Sequence, residues 1–231
     1  MHGVLVKLCV LAAALPATGA SQVPTPALWV DTFGVQKADL RSTGRNPYFI
    51  LEPGYQLVLE GPGAERLVIT VLDQTELVDG VETRVVEERE TKNGKLVEVS
   101  RNFFAISSRN DVYYFGEDVD VYKNGKVANH EGAWRAGLNG ARFGLMMPAT
   151  PRAGARYYQE VAPHIAMDRA EVVALDVAMT TPAAKYSNVL KIEETTPLEP
   201  GAKEFKYYAA GVGLIGDGSL RLVKYSNLPA R

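Results

Sequence analysis

The chain has 231 residues, with 25 basic and 27 acidic side chains, a formal charge of −2 at neutral pH and a single cysteine. This balance excludes a strongly basic nucleic-acid-binding protein, and one cysteine excludes a disulfide framework or a thiolate metal centre. The length is sufficient for one sizeable domain with a single core, and no linker-like stretch divides the sequence.

The first twenty residues, "MHGVLVKLCVLAAALPATGA", have the layout of a secretory signal peptide. Lys7 precedes an apolar run from Leu8 to Leu15, and the small residues Thr18 and Ala20 fit a cleavage site after Ala20. A retained membrane anchor is the alternative, but the run is well short of the roughly 20 residues that span a bilayer. We therefore expect a cleaved leader, residues 1–20, and a periplasmic or extracellular protein.

Cleavage would change the chemistry of the chain in two ways. It removes Lys7 and no acidic residue, so 24 basic residues face 27 acidic ones and the formal charge becomes −3. It also removes Cys9, which leaves a mature chain without a thiol. No later apolar stretch is long enough to span a membrane. We expect neither a nucleic-acid partner nor a transmembrane segment in the mature chain.

Residues 21–45 contain scattered prolines and glycines and little periodicity, which predicts an extended arm with one short helix around residues 35–40. After residue 46, β-rich runs are separated by dipeptides that favour two-residue hairpin turns. The clearest alternation of apolar and polar residues is Val173, Leu175, Val177 and Met179, with polar or small residues between them. The turn dipeptides are Asp79-Gly80, Asn93-Gly94, Asn124-Gly125 and Asp217-Gly218.

Roughly ten strands joined by short turns predict an all-β domain over residues 46–231 with little helix. The expected architecture is one large, bent antiparallel sheet, closed or partly open as a barrel, because closure removes exposed strand edges. A two-sheet sandwich is the alternative.

Between residues 127 and 154 the strand pattern breaks, in a stretch rich in glycine that also carries Trp134, Phe143 and Met147. Loops of this length in a compact domain are uncommon and tend to be functional or disordered. The large apolar side chains argue against disorder, because they must be buried against something. We predict a long loop that caps the mouth of the barrel.

Four motifs appear in order between residues 46 and 215: "NPYFILEPG", "EGAWRAGLNGA", "MMPATP" and "KYYAAGVGLI". In these motifs and their order, the chain resembles a family of secreted bacterial β-rich proteins without an assigned activity. The resemblance covers most of its length. The resemblance implies a secreted, single-domain β protein and supplies neither a reaction nor catalytic residues.

The stretch "QEVAPHIAMDRAE", residues 159–171, raises the possibility of a metal site. On a helix, Glu160, His164 and Asp168 would share one face, but the flanking β-like runs favour two strands joined by a turn. If the apolar loop folds over the barrel, His130 and Glu131 could join Glu160 and His164 as ligands of a divalent metal or as acid and base. The alternative is that both histidines are solvated turn residues.

A second set of residues indicates a ligand cavity. Adjacent tyrosines on a strand point to opposite faces, so one member of each pair is expected inside the barrel, where its hydroxyl needs a partner. Arg101 lies on the same strand face as Val99 and Phe103, and it would need a carboxylate or an anionic ligand if that face points inward. That this face is turned to solvent is equally consistent with the sequence. The candidate ligand-binding residues are Arg101, Trp134, Met147, Tyr158 and Tyr207.

The sequence thus leaves three hypotheses open. The first is a secreted or periplasmic binding protein for an apolar or amphipathic, lipid-like small molecule. The second is a metal-assisted hydrolase or lyase that uses the histidines, with Glu131 and Glu160 as the candidate catalytic carboxylates and Asp168 as a further metal ligand. The third is an envelope-assembly protein that recruits a partner through a sheet edge.

Overall fold

The structure is a computed structural model that describes residues 28–227. The expected signal peptide, residues 1–20, lies outside the described residues. Within them, regular structure consists of β-strands and two three-residue 3₁₀ turns, Lys37–Asp39 and Pro62–Ala64, and no helix is long and apolar enough to cross a membrane. The prediction of an all-β fold with little helix is confirmed. The expected helix around residues 35–40 is the first of the 3₁₀ turns.

Seventeen strands make up the described chain. They are β1 Gly44–Asn46, β2 Phe49–Leu51, β3 Tyr55–Gly61, β4 Glu65–Val78, β5 Val81–Lys92, β6 Lys95–Ile106, β7 Val112–Lys123, β8 Lys126–Asn129, β9 Trp134–Arg135, β10 Arg142–Met147, β11 Arg156–Tyr158, β12 Glu160–Val161, β13 Arg169–Thr180, β14 Lys185–Thr195, β15 Lys203–Ala209, β16 Gly213–Asp217 and β17 Leu220–Asn227.

All strands except β1 and β2 belong to one antiparallel sheet. Its order is β11-β13-β14-β15-β16-β17-β3-β4-β5-β6-β7-β10-β12, with β8 and β9 also paired to β7. The two end strands of this path, β11 and β12, are separated in the chain by a single residue, Gln159. The sheet therefore returns almost to its starting point, and the predicted barrel is confirmed in place of a sandwich.

The seam of the barrel requires a glycine. A Cβ added at Gly144 of β10 would collide with the carbonyl oxygens of Gln159 and Tyr158. Residue 144 can therefore hold no side chain while the backbones of β10 and the β11–β12 segment approach so closely. The arm adds a further contact on the other edge of β11, where the Tyr158 amide donates to the carbonyl of Val30.

Alternation along the strands sorts side chains into two apolar cores. On β6, Phe104 and Ile106 belong to the main core inside the barrel, whereas Phe103 and Ala105 belong to a second core on the outer face. This second core also contains Phe115, whose ring stacks on Phe143 at 4.7 Å between centroids. Arm residues cover the outer core, since Phe33, Val35 and Leu40 pack against it.

The hairpin of β1 and β2 closes one end of the barrel. Asn46, which is fully buried, donates from Nδ2 to the carbonyls of Asn110 and Met147 and accepts the Tyr48 amide at Oδ1. Arg84, also buried, donates to the Ser42 carbonyl. These bonds fix the segment 42–51, called the plug below, against the turns at this end. The arm expected for residues 21–45 thus ends in a structural element of the barrel.

The segment 127–154 differs from the expected capping loop. It contains β8, β9 and β10, all paired with β7, so it forms part of the barrel wall. Trp134 of β9 is 4% exposed, and its ring meets Tyr114 edge to face at 5.2 Å. These strands are short and separated by glycines, so the sequence shows no clear period-two alternation there.

Three of the four predicted turns are confirmed. Asp79-Gly80, Asn93-Gly94 and Asn124-Gly125 have positive φ at both residues, as a type I′ turn requires. The fourth lies one residue later, because Asp217 is the last residue of β16 and pairs with Leu220.

The alternation expected on β13 is interrupted. The register of β13 against β14 shifts between Val172 and Ala174, and this irregularity leaves Val173 exposed. Leu175, Val177 and Met179 do pack against the main core.

Candidate functional site

The interior of the barrel is divided into an apolar and an acidic part. The apolar part holds a cavity of about 60 Å³ above the plug. Three charged residues, Glu88, Lys206 and Asp217, also line this cavity. The other lining residues are Tyr48, Phe49, Ile50, Tyr55, Leu57, Ile69, Val71, Val86, Met146, Tyr208, Val212, Gly213 and Leu214. The Tyr55 hydroxyl donates a hydrogen bond to the Val212 carbonyl at 2.6 Å. Because both polar groups are thereby paired, the cavity wall near the plug is apolar in character.

The acidic part lies at the end of the barrel opposite the plug. Strand pairing aligns Glu194 of β14 with Glu204 of β15, and Lys206 with Asp217 of β16. We call Glu88, Glu90, Glu194, Glu204 and Asp217, which surround Lys206, the acidic mouth. Two open hollows of about 380 and 350 Å³ lie here, the first lined in part by Glu90, Glu204 and Asp217 and the second by Glu194 and Glu204.

Asp217 connects the two parts. It lines both the apolar cavity and the larger hollow, so a molecule in contact with Asp217 could reach apolar wall on one side and solvent on the other. Its Oδ2 lies 3.9 Å from Lys206 Nζ, while its Oδ1 is buried without a hydrogen-bond partner. Lys206 makes a closer ion pair with Glu194, at 2.9 Å, and Gln159 Nε2 donates to the same carboxylate at 2.8 Å.

Burial and mutual repulsion keep several of these carboxyl groups protonated to unusually high pH. Burial raises the pKa of Glu88 to about 7, against the opposing effect of Lys206. Burial also raises the pKa of Asp217, again opposed by Lys206. For Lys206 burial acts to lower the pKa, but Glu194 and Asp217 outweigh it and hold the pKa well above the usual value. Lys206 is therefore a permanent cation in the mouth.

A second group of carboxyls lies beside the acidic mouth. Burial raises the pKa of Glu117 on β7 to about 8, and Glu88 adds to the shift. Burial raises the pKa of Glu160 on β12 well above its usual value, and the charge of Asp168 acts in the same direction. Glu160 Oε1 accepts the Asp168 amide at 2.5 Å, so these two sequence-predicted residues do meet. They meet through the backbone of the 162–168 turn, which fits the strand–turn–strand interpretation.

The proposed metal centre is not formed. His130 is exposed, and its Nδ1 lies 2.8 Å from the Val119 carbonyl and 3.0 Å from Asp120. His164 sits in an exposed turn with a φ of 67°. Among residues 28–227 no three His, Cys, Asp or Glu side chains are grouped so as to hold a metal ion. Glu131, the other catalytic candidate, is exposed beside His130. The side chain of His130 contacts the Val119 carbonyl of β7, whereas His164 lies in the turn between β12 and β13. Both histidines are exposed, as in the alternative of solvated turn residues.

The predicted ligand-binding residues lie outside the apolar cavity. Arg101 is on the outer face, paired with Asp120 at 3.2 Å, which is the solvent-facing alternative left open by the sequence. Tyr158 packs edge to face on Trp29 of the arm. Tyr207 occupies the face of β15 opposite Tyr208, with Lys191 over its ring. Met147 is fully buried in the main core, and Trp134 is buried against Tyr114.

The sequence of β15 contains a signal that could have identified part of the site. In "KEFKYYA" the residues Glu204, Lys206 and Tyr208 alternate with Phe205 and Tyr207, so a lone lysine and a carboxylate share a face with a core tyrosine. A charged residue in phase with a core residue on a barrel strand points inward. Alternation alone does not show which other strands place charged residues at the same level along the barrel axis.

Comparison with models of known families, with curated proteins and with solved structures found no match to the chain.

Proposed function

We propose that the protein is a secreted or periplasmic binding protein that holds a small amphipathic molecule in the barrel. The observation that carries this proposal is the junction at Asp217, where an apolar cavity meets a polar, open mouth. An amphipathic ligand matches such a junction, because its apolar part gains from burial while its polar part stays hydrated or paired. The leader-like sequence of residues 1–20 supports the location.

The volume of the cavity limits the apolar part of the ligand. Drug-sized ligands occupy pockets of about 300–1,000 Å³. The apolar cavity, at about 60 Å³, takes only a short alkyl chain or part of a ring. A whole lipid chain does not fit without displacement of the plug. The hollows of about 380 and 350 Å³ at the mouth leave room for a larger polar group. We therefore infer a small ligand with a compact apolar end.

Titration with 1-alkanols of increasing length, from propanol to octanol, tests the proposal. Each buried methylene contributes about 0.8 kcal/mol, so affinity should rise about fourfold per carbon until the cavity is full and then level off. Isothermal titration calorimetry gives the affinities, and NMR shift perturbations place the site at Val71, Val86 and Tyr208.

Two cavity variants provide opposite changes. Val71→Ala enlarges the cavity and should move the plateau to a longer alkanol, whereas Val71→Phe fills the cavity and should abolish saturable binding. Val173→Phe, on an exposed position of β13, is the matched control. A common, non-saturable weak response of all four proteins to every alkanol would contradict a binding function for the cavity.

A further inference from the structure

We propose that the polar end of the ligand is an organic ammonium group, which Asp217 of the acidic mouth and Tyr157 recognise. This inference rests on the proposed function and adds the chemical class of the ligand. Three features of the site support an ammonium group: a surplus of carboxyl groups, two unpartnered polar atoms, and no group of three His, Cys, Asp or Glu side chains suited to a metal among residues 28–227.

The mouth contains more acidic than basic groups. Glu88, Glu90, Glu204 and Asp217 all have their pKa raised by burial first, and Lys206 is the sole basic side chain of the described range that lowers any of them. The other cations near the two hollows have acidic partners outside the mouth. Lys92 pairs with Glu65 at 2.7 Å, Arg66 with Glu60 at 3.5 Å and Lys203 with Glu193 at 3.6 Å. A second cation would relieve the repulsion that remains among the carboxylates.

Tyr157 gives an independent indication of a ligand. Its side chain is 3% exposed, and its hydroxyl has no hydrogen-bond partner. Strand pairing places Tyr157 opposite Ala170, Ala170 opposite Glu194 and Glu194 opposite Glu204, so Tyr157, a residue of the main core, stands in the same row across the sheet as two residues of the mouth. A buried hydroxyl without a partner is costly, and an N–H donor from a ligand would satisfy its oxygen.

Asp217 supplies the second unpartnered atom, Oδ1, at the junction with the apolar cavity. Tyr208 lines the apolar cavity together with Lys206 and Asp217. A primary ammonium has three N–H donors and no acceptor, as the lysine side chain has. It therefore matches acceptors such as Asp217 Oδ1 and the Tyr157 hydroxyl, and its alkyl part would extend into the cavity.

A metal ion is the weaker candidate for the missing cation. Divalent metals require several oxygen or nitrogen ligands that converge on one point at about 2–2.6 Å. No three His, Cys, Asp or Glu side chains within residues 28–227 are grouped in this way. An ammonium group accepts longer and less convergent contacts, because hydrogen bonds to it extend to about 2.9 Å.

Three probes of equal length test the inference: pentylammonium, 1-pentanol and pentanoate, titrated at pH 7 and at low and high salt. We expect pentylammonium to bind about tenfold more tightly than pentanol and pentanoate to bind least, with the advantage of the ammonium reduced by salt. Asp217→Asn and Tyr157→Phe keep the side-chain shapes and should each lower the affinity for pentylammonium several-fold while that for pentanol stays within about twofold.

Asp118→Asn, at an exposed outer position, is the matched control and should change no affinity. Equal affinities for pentylammonium and pentanol would overturn the ammonium assignment and leave the proposed function intact. Tightest binding of pentanoate would also overturn it, and would assign Lys206 as an anion site. If none of the three probes binds saturably, both the assignment and the proposed function fail. Thermal unfolding of each variant shows whether a loss of affinity is a loss of fold.

Discussion

Lys206 Nζ lies 2.9 Å from Glu194 Oε2 inside the barrel, so a lysine that the sequence shows only as one of many charges is the centre of the acidic mouth. Its side chain is 23% exposed, and that of Glu194 is 12% exposed. The pair is thus partly screened by water, but the carboxyl groups around it have no other cation of comparable burial among the described residues.

Replacing Lys206 by methionine should destabilise the fold by about 2 kcal/mol near pH 8, since loss of one partner leaves Glu194 and Asp217 uncompensated. The loss should be smaller at pH 5, where neighbouring carboxyl groups are protonated. Urea unfolding at the two pH values measures both quantities. Lys203→Met, at a more exposed site paired with Glu193, is the control and should cost less than about 1 kcal/mol at either pH.

The stability of the wild-type protein should fall between pH 5 and pH 9. Burial raises the pKa of Glu88 to about 7 and that of Glu117 to about 8, above the ordinary glutamate value of 4.5. A folded state that binds more protons than the unfolded state is favoured at low pH, and this contribution is lost as pH rises through the folded pKa values. The slope per group is at most about 1.4 kcal/mol per pH unit.

Glu117→Gln cannot ionise, so its melting temperature should fall less steeply with pH than that of the wild type. Glu131→Gln, on the exposed segment beside His130, should reproduce the wild-type curve. Parallel curves for wild type and Glu117→Gln would show that Glu117 ionises as an ordinary carboxyl.

Removal of the Asn46 amide should release the plug. Asn46→Ala leaves the carbonyls of Asn110 and Met147 and the amide of Tyr48 without their partner. Each buried group left unpaired costs about 1–3 kcal/mol, partly offset where water enters, so we expect a loss of about 3 kcal/mol. Chemical denaturation measures it. Asn227→Ala, at the exposed end of β17, should change stability by less than about 0.5 kcal/mol.

Closure of the barrel should depend on Gly144. Gly144→Ala places a Cβ in contact with the backbone of Tyr158 and Gln159, which cannot move aside as a flexible side chain would. We expect a destabilisation of about 3 kcal/mol or more and faster amide exchange in residues 156–161. Gly34→Ala, where a Cβ meets nothing within 4 Å, is the control. Unchanged exchange at the seam would contradict this account of closure.

The sequence predicted the barrel because its evidence is local. Asp79-Gly80, Asn93-Gly94 and Asn124-Gly125 specify hairpin turns through positive φ, and alternating side chains specify strands. The same local evidence failed for Asp217, whose dipeptide with Gly218 suggested a turn, because one residue of register decides whether an aspartate caps a hairpin or faces the lumen.

The candidate site was beyond the sequence for a different reason. Trp134 and Met147 were chosen because they are large and apolar, and they are buried in the wall, where size is used for packing. Arg101 could face either side, and its partner Asp120 lies on the neighbouring strand β7. Chemical type indicates what a residue could do, but not which residues it meets.

The strand content and most of the hairpin turns follow from the sequence alone, because each depends on residues a few positions apart. The lack of a thiol after residue 20 follows directly from the composition. That Glu88, Glu194, Lys206 and Asp217 lie near one another is visible only in the folded chain, since these residues come from four strands separated by up to 129 positions. Barrel closure and strand register set their common height, and no local pattern encodes either one.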